Sequence, residues 1–187
     1  MLLGGACTLA TVSVAERAQQ SRVRGERGAS IVEFALVLPI LALLVFAIID
    51  FGTIYSDYNG LRSATRDATR NGAVTNWGSD TSCLAAGATV TAPASKIICD
   101  VKAKAGLGND VRVGVWTPGG WQVGATLRVC AQQRMSSTSG FTGPFVDNKA
   151  YTAKVEFRIE IPLPAGTTFT AGQEPPHTSW PSSCVNG

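Results

Sequence analysis

The sequence predicts an α+β protein on a membrane anchor. A long N-terminal transmembrane helix continues into an amphipathic stalk, and a small antiparallel β-sheet domain packed on helix follows, stapled by disulfides. Three observations predict this. The run Ile31–Ile49 (IVEFALVLPILALLVFAII) is apolar but for Glu33. The residues after it place apolar side chains at three- and four-residue steps. The C-terminal half holds alternating apolar and polar segments between turn sequences, with Cys83, Cys99, Cys130 and Cys184 spread through them.

The first 28 residues read as a basic leader. Met1 to Val14 carry little information, and a start downstream of Met1 is open. A lipoprotein reading of Cys7 is weak, because almost no apolar core and no basic start precede it. Arg17, Arg22, Arg24 and Arg27 then stand against Glu16 and Glu26. At 1.5 Å per residue, Ile31–Ile49 spans roughly 28 Å, about the thickness of a bilayer core. No charge falls between Phe34 and Ile49, so the helix is apolar on every face, which a soluble core helix rarely is. The basic flank places the N-terminus in the cytoplasm and the remainder outside. Asp50-Phe51-Gly52-Thr53 offers no small-residue signal-peptidase site after the run, which favours a retained single-pass anchor.

Bulk composition narrows the function. With 16 basic and 13 acidic residues, the net charge of +3 is too mild for nucleic-acid binding, and no Lys/Arg cluster makes a phosphate-tracking patch. His177 is the single histidine, and the cysteines lack CxxC spacing, so neither a metal site nor a cofactor is expected. An even number of cysteines beyond the anchor reads as two disulfides in an oxidising compartment. That agrees with the orientation given by the arginines.

Two placements in the anchor stand out. Glu33 puts an ionisable group at the start of the apolar run, which is costly unless it reaches the headgroups or finds a partner. The plain alternative is that it sits at headgroup level. Arg27-Gly28-Ala29-Ser30 puts glycine where the apolar helix begins. Glycine permits the irregular backbone a protease needs, or simply a flexible approach to the membrane. Pro39 removes one hydrogen bond inside the helix and loosens the preceding turn. Membrane helices tolerate this, and a softened helix would also leave the bilayer more easily.

Together, Gly28-Ala29-Ser30-Ile31-Val32-Glu33-Phe34 resembles a class III (prepilin) signal. The stretch from Arg27 to Gly72 is similar to the TadE/TadG-like family, pseudopilins of the Tad system that builds Flp pili. The resemblance rests on Arg27, Gly28, Val32-Glu33-Phe34, Leu38-Pro39, Asp50-Phe51-Gly52 and the Ala/Arg/Gly-rich tail to Gly72. Asp50 stands where Glu is common in the family. The likeness covers roughly a quarter of the chain and leaves the region beyond Gly72 unmatched. It implies cutting between Gly28 and Ala29 by a membrane-embedded prepilin peptidase at the cytoplasmic face. It further implies recognition through Glu33 and Phe34, and pairing of the Glu33 carboxylate with the amino terminus of a neighbouring subunit. The implied partners are the membrane, that peptidase, other pilin or pseudopilin subunits and Tad assembly-platform proteins.

The stalk follows. Phe51, Ile54, Tyr55, Tyr58, Leu61, Thr65 and Ala68 form one helical face. Arg62, Arg66 and Arg70 line another as a solvated or partner-facing stripe, with Asp67 nearby. Asn71-Gly72 predicts the stop. The expected organisation is therefore a leader over 1–28, an anchor and stalk over 29–74, and an extracytoplasmic α+β domain over 75–187.

Within that domain, 75–92 reads as loop and Pro93–Ala105 as a helix capped by Gly106, with Ile97, Ile98 and Val101 on one side. Cys83 and Cys99 would tie the two. Strands Asp110–Trp116 and Trp121–Gln132 flank the turn Thr117-Pro118-Gly119-Gly120. A third strand, Ala150–Ile161, alternates cleanly, which predicts one buried and one solvated face. The tail after Gly166 reads as irregular, pinned by Cys184 to Cys130.

No nucleophile–base order, paired carboxylates or phosphate loop emerges, so no enzyme and no small-molecule substrate are expected. Trp77, Trp116, Trp121 and Trp180 offer a ligand platform, but packing is the commoner use of Trp. The leading expectation is a minor pseudopilin-like structural component of a Tad-type pilus or secretion system. The alternative is a single-pass anchored binding or adhesion module without pilin-type processing.

Overall fold

The computed structural model describes residues 12–74, 78–88, 90–107 and 110–185, with residues 12–27 as backbone alone. Elements follow in the order α1 (Val12–Val74), α2 (Ala94–Ala105), β1 (Val111–Trp116), β2 (Thr126–Arg134), α3 (Gly143–Val146), β3 (Ala150–Arg158), β4 (Gly172–Gln173) and α4 (Ser182–Val185). Two compact units divide the chain, one ending at Ala47 and one beginning at Ile48. Cys7 and Trp77 lie outside the described residues.

The described part of the first unit is helix. The backbone freedom that Gly28 permits is not used here: α1 is already helical from Val12 and passes through both Gly28 and Pro39. Helix propagation is cooperative, and one glycine costs a long helix only about 1 kcal/mol against alanine. From Ile31 to Phe46 every large apolar side chain is exposed. The helix is long and apolar enough to cross a membrane.

The second unit is a four-stranded antiparallel sheet ordered β3-β2-β1-β4, with the C-terminal part of α1 and all of α2 contributing to its core. Val111, Val113, Val115, Leu127, Val129, Ala131 and Ala153 meet Leu61, Ala68 and Ala73 of α1 and Ile97, Ile98 and Val101 of α2 in one cluster. Full burial of each large member contributes about 1.5–3 kcal/mol. Thr65 and Thr69, buried on the same helix face, donate their hydroxyls to the Leu61 and Thr65 carbonyls at 2.7 and 2.5 Å.

The predicted stop at Asn71-Gly72 is also corrected, because α1 continues to Val74. Gly72 serves contact rather than termination. A Cβ there would lie 2.6 Å from Cγ1 and 2.7 Å from Cδ1 of Ile97, so the missing side chain is what lets α2 approach. Gly106 does cap α2, in the left-handed conformation.

β1 falls close to its predicted place, and β3 starts where predicted but ends at Arg158; β2 begins at Thr126 rather than Trp121, because the Ala125 amide closes a turn on the Gln122 carbonyl. Central β2 is buried on both faces from Leu127 to Gln132. The C-terminal tail forms the covering layer. The Cys130–Cys184 disulfide crosses to it, Arg128 donates to the Cys184 carbonyl, and the Gln132 amide oxygen accepts from the His177 and Thr178 amides. The tail also adds β4 beside β1, where an irregular segment is predicted. Glu174, fully buried, accepts from Lys102 Nζ at 2.6 Å and from the Ala85 and Val113 amides at 2.7 and 3.0 Å. Lys102 also donates to the Cys83 carbonyl. Cys83–Cys99 joins the loop to α2 as predicted.

Candidate assembly and anchoring site

The predicted site residues fall along α1. Gly28 and Ala29 are helical and exposed, and a Cβ on Gly28 would meet nothing within 4 Å. Packing therefore does not ask for glycine at this position, unlike Gly72. Glu33, Phe34 and Pro39 are likewise exposed. Their spacing fixes which can act together. Ala29 and Glu33 are four apart and share a helix face, whereas Phe34 turns about 100° away.

One functional residue is more developed than its sequence suggests. Asp50 ends the apolar run and is fully buried. Its carboxylate accepts hydrogen bonds from the Ser137, Ser139 and Thr142 hydroxyls at 2.8, 2.6 and 2.5 Å. It also accepts from the Thr138 and Ser139 amides at 3.1 and 2.8 Å. The Ser139 and Thr142 hydroxyls lead in holding the Asp50 carboxyl well below the ordinary carboxylate range, and the Ser139 amide and Ser137 hydroxyl add to them. The five donors satisfy the acceptor capacity of one carboxylate and tie the β2–β3 connection to the start of the second unit's helix. The only sequence signal was an acidic residue closing the anchor together with an uncharged Ser/Thr-rich segment far along the chain.

Next to this clamp, Phe51, Ile54, Tyr55, Tyr58, Met135 and Tyr151 line an apolar groove of about 590 Å³. Phe51 and Tyr55, at the start of the helical face that also carries Leu61, Thr65 and Ala68, are exposed. The sheet-covering part of that face begins only at Leu61. Tyr151 meets Tyr58 edge-on at 5.7 Å, and burial, aided by the Asp57 charge, pushes its hydroxyl up to about 12.

Arg62, Arg66 and Arg70 are exposed. The first two border a shallow polar groove with Lys154, Glu156 and Phe157. Lys154 and Arg128 hold the Glu156 carboxyl below its ordinary value. Among the described residues, the tryptophans Trp116, Trp121 and Trp180 do not assemble one platform. Trp116 packs edge-on against Trp180 at 5.5 Å. Gly114 clears the space in which the Trp116 ring lies. Trp121 instead packs on Phe169 and donates to the Ile161 carbonyl. Among the described residues, no group of His, Cys, Asp and Glu is arranged to hold a metal ion.

Residues 28–70 match the TadE-like protein family. The N-terminal module is TadE-like. The match begins at Gly28 and takes in Glu33, Phe34, Pro39 and Asp50, the residues singled out above. No curated protein and no solved structure matches the chain. Residues 28–70 are thus similar to TadE-like proteins, and the helix they form is long and apolar enough to cross a membrane.

Proposed function

We propose that the chain is a minor pseudopilin-like structural and assembly component of a Tad-type (Flp) pilus or secretion system, and not an enzyme. In this reading a prepilin peptidase cuts between Gly28 and Ala29 on the cytoplasmic side, and the C-terminal domain lies outside. The observation that carries the reading is the TadE-like match starting at Gly28, with an acidic side chain at the fifth position of the resulting chain. Gly28 adds support, because the fold gains nothing from a glycine there.

Cleavage would remove four arginines and two glutamates of the leader and create an α-amino group on Ala29. Glu33 is exposed in the single chain and so open to a neighbouring subunit. Inside a bundle of apolar helices an unpaired carboxylate is strongly unfavourable, so pairing with a neighbour's amino terminus would select one register over others. Assembly-platform proteins and other pilin subunits are the partners this implies.

N-terminal sequencing of the membrane form tests the processing step. The expected N-terminus is Ala29, dependent on a prepilin peptidase; an intact leader in a strain with active peptidase overturns the proposal. Glu33→Val is expected to leave the protein in the membrane fraction while strongly lowering its incorporation into pili. Pili of normal number and composition from that variant would sink the pairing role.

A further inference from the structure

The segment tied down by Asp50 carries side chains that the assembly reading does not use. From Met135 to Val146 (MSSTSGFTGPFV) there is no charged residue. Phe141 and Phe145 are 54% and 73% exposed. Two large aromatic residues exposed to this extent on a short, tethered connection are unusual for a surface loop. Exposed Arg134 precedes the segment, and exposed Asp147 and Lys149 follow it.

The position of this connection in the second unit is fixed. It joins the end of β2 to the start of β3, so it lies at the opposite end of the sheet from the Thr117–Ala125 connection. The helix residue it binds is Asp50, immediately after Ile49. Near the other sheet end the Ala73 carbonyl accepts from the Glu160 amide. The helix therefore travels from the β2–β3 connection towards the far end of the sheet.

In a membrane-anchored chain, Ile31–Ile49 fills the hydrocarbon core, and the polar interfacial layer begins at Asp50 and extends roughly 5–8 Å further. Trp and Tyr favour that layer, and Phe serves on the apolar face of segments that lie in it. Phe51, Tyr55 and the apolar groove they border lie at this same level of the helix.

We propose that the β2–β3 connection is a second membrane contact, in which Phe141 and Phe145 enter the interfacial layer of the lipid bilayer while Asp50 holds the loop at that depth. The occupant of this surface is lipid, and continuity with the membrane-spanning helix is the ground for choosing it. The inference rests on the anchored reading of α1 but not on leader processing or on pilus assembly. It gives the buried carboxylate a purpose, since five hydrogen bonds fix the loop that the anchor alone would leave free to face water.

The test uses the full chain with Cys7→Ser, reconstituted in vesicles of phosphatidylethanolamine and phosphatidylglycerol. An environment-sensitive fluorophore is attached to a single introduced cysteine, Phe145→Cys, Gln122→Cys or Leu44→Cys, and nitroxide lipids quench it from shallow or deep positions. The label at 145 is expected to be quenched severalfold more by shallow nitroxide than the label at 122, with the label at 44 quenched best by deep nitroxide. Equal, weak quenching at 145 and 122, with 44 still quenched, overturns the inference and leaves the anchor intact. A label at 145 that is shielded from water but untouched by lipid nitroxide, in a way that depends on protein concentration, assigns the surface to a second copy and also overturns it. Loss of quenching at 44 removes the anchored reading and the inference with it.

Discussion

The two halves of α1 solve opposite problems with opposite side chains. Between Ile31 and Ile49 the helix displays Ile, Leu, Val and Phe on all sides, every one of them exposed. Between Leu61 and Ala73 the buried positions are Leu61, Ala64, Thr65, Ala68, Thr69, Gly72 and Ala73, nearly all small. A helix that meets fluid lipid needs bulk and no particular shape. A helix that meets a sheet and another helix needs close approach, and small side chains permit it. Glycine shows the same contrast at single-residue scale: Gly28 stands in open space, and Gly72 is filled by Ile97.

This comparison can be broken most severely by cutting the helix. A fragment beginning at residue 75 lacks Leu61, Ala68 and Ala73 of the core cluster and is expected to show no cooperative unfolding transition by circular dichroism. A fragment beginning at Ile48 is expected to unfold cooperatively. A stable 75–187 fragment would show that the second half of α1 is not a core element.

Next in size is Glu174→Ala, which leaves the buried Lys102 ammonium without its carboxylate. Losing one partner of a buried pair costs about 3–5 kcal/mol, to be read as a lowered denaturation midpoint of the second unit, with membrane retention unchanged. Gly72→Ala is expected to destabilise by about 1–3 kcal/mol through overpacking against Ile97. The matching change Gly28→Ala should leave that midpoint where it was. Equal effects at the two glycines would erase the contrast between the halves.

The smallest effect is local. Asp50→Asn puts an amide where the Thr138 and Ser139 N–H groups and three hydroxyls converge, and those two amides are expected to exchange hydrogen faster while the core strands do not. The pH dependence has a definite sign. The Asp50 carboxyl is held below its ordinary value of 3.8 in the folded chain, so its contribution is fully present above about pH 4. It is lost as pH falls further, through the depressed folded value. Protection of Thr138 and Ser139 should weaken under acid in the native protein and lack this step in the Asn variant.

Much of this organisation was legible in the sequence. The anchor followed from apolar length, α2 from Ile97, Ile98 and Val101 with Gly106 behind them, the β1–β2 pair from the turn between its strands, and β3 from alternation. The pairings of Cys83 with Cys99 and Cys130 with Cys184 also fell as read. What escaped was long-range. The second face of β2 is buried by a Pro- and Ser-rich tail whose composition says loop, because the cover is made of hydrogen bonds to Gln132 and Arg128 rather than of apolar periodicity. β4 is too short to show alternation. Gly72 reads as a stop from its neighbours and as a contact only once Ile97 is beside it. In the candidate site, Gly28, Ala29, Glu33 and Phe34 were visible as a linear motif. The Asp50 clamp was not, since its five donors lie 87 to 92 residues away.

The bonding of Asp50 also bears on mechanical load. In the proposed assembly role the chain would come under tension, and a pull that reaches the second unit along its helix would arrive first near this residue. Five hydrogen bonds there must yield together, since they share one carboxylate and one short loop. Behind them the packed face from Leu61 to Ala73 would have to slide along the sheet rather than peel from it. Bonds loaded in parallel resist better than bonds opened one after another, so under such a pull the Asp50 contacts would share the load where the chain enters the unit.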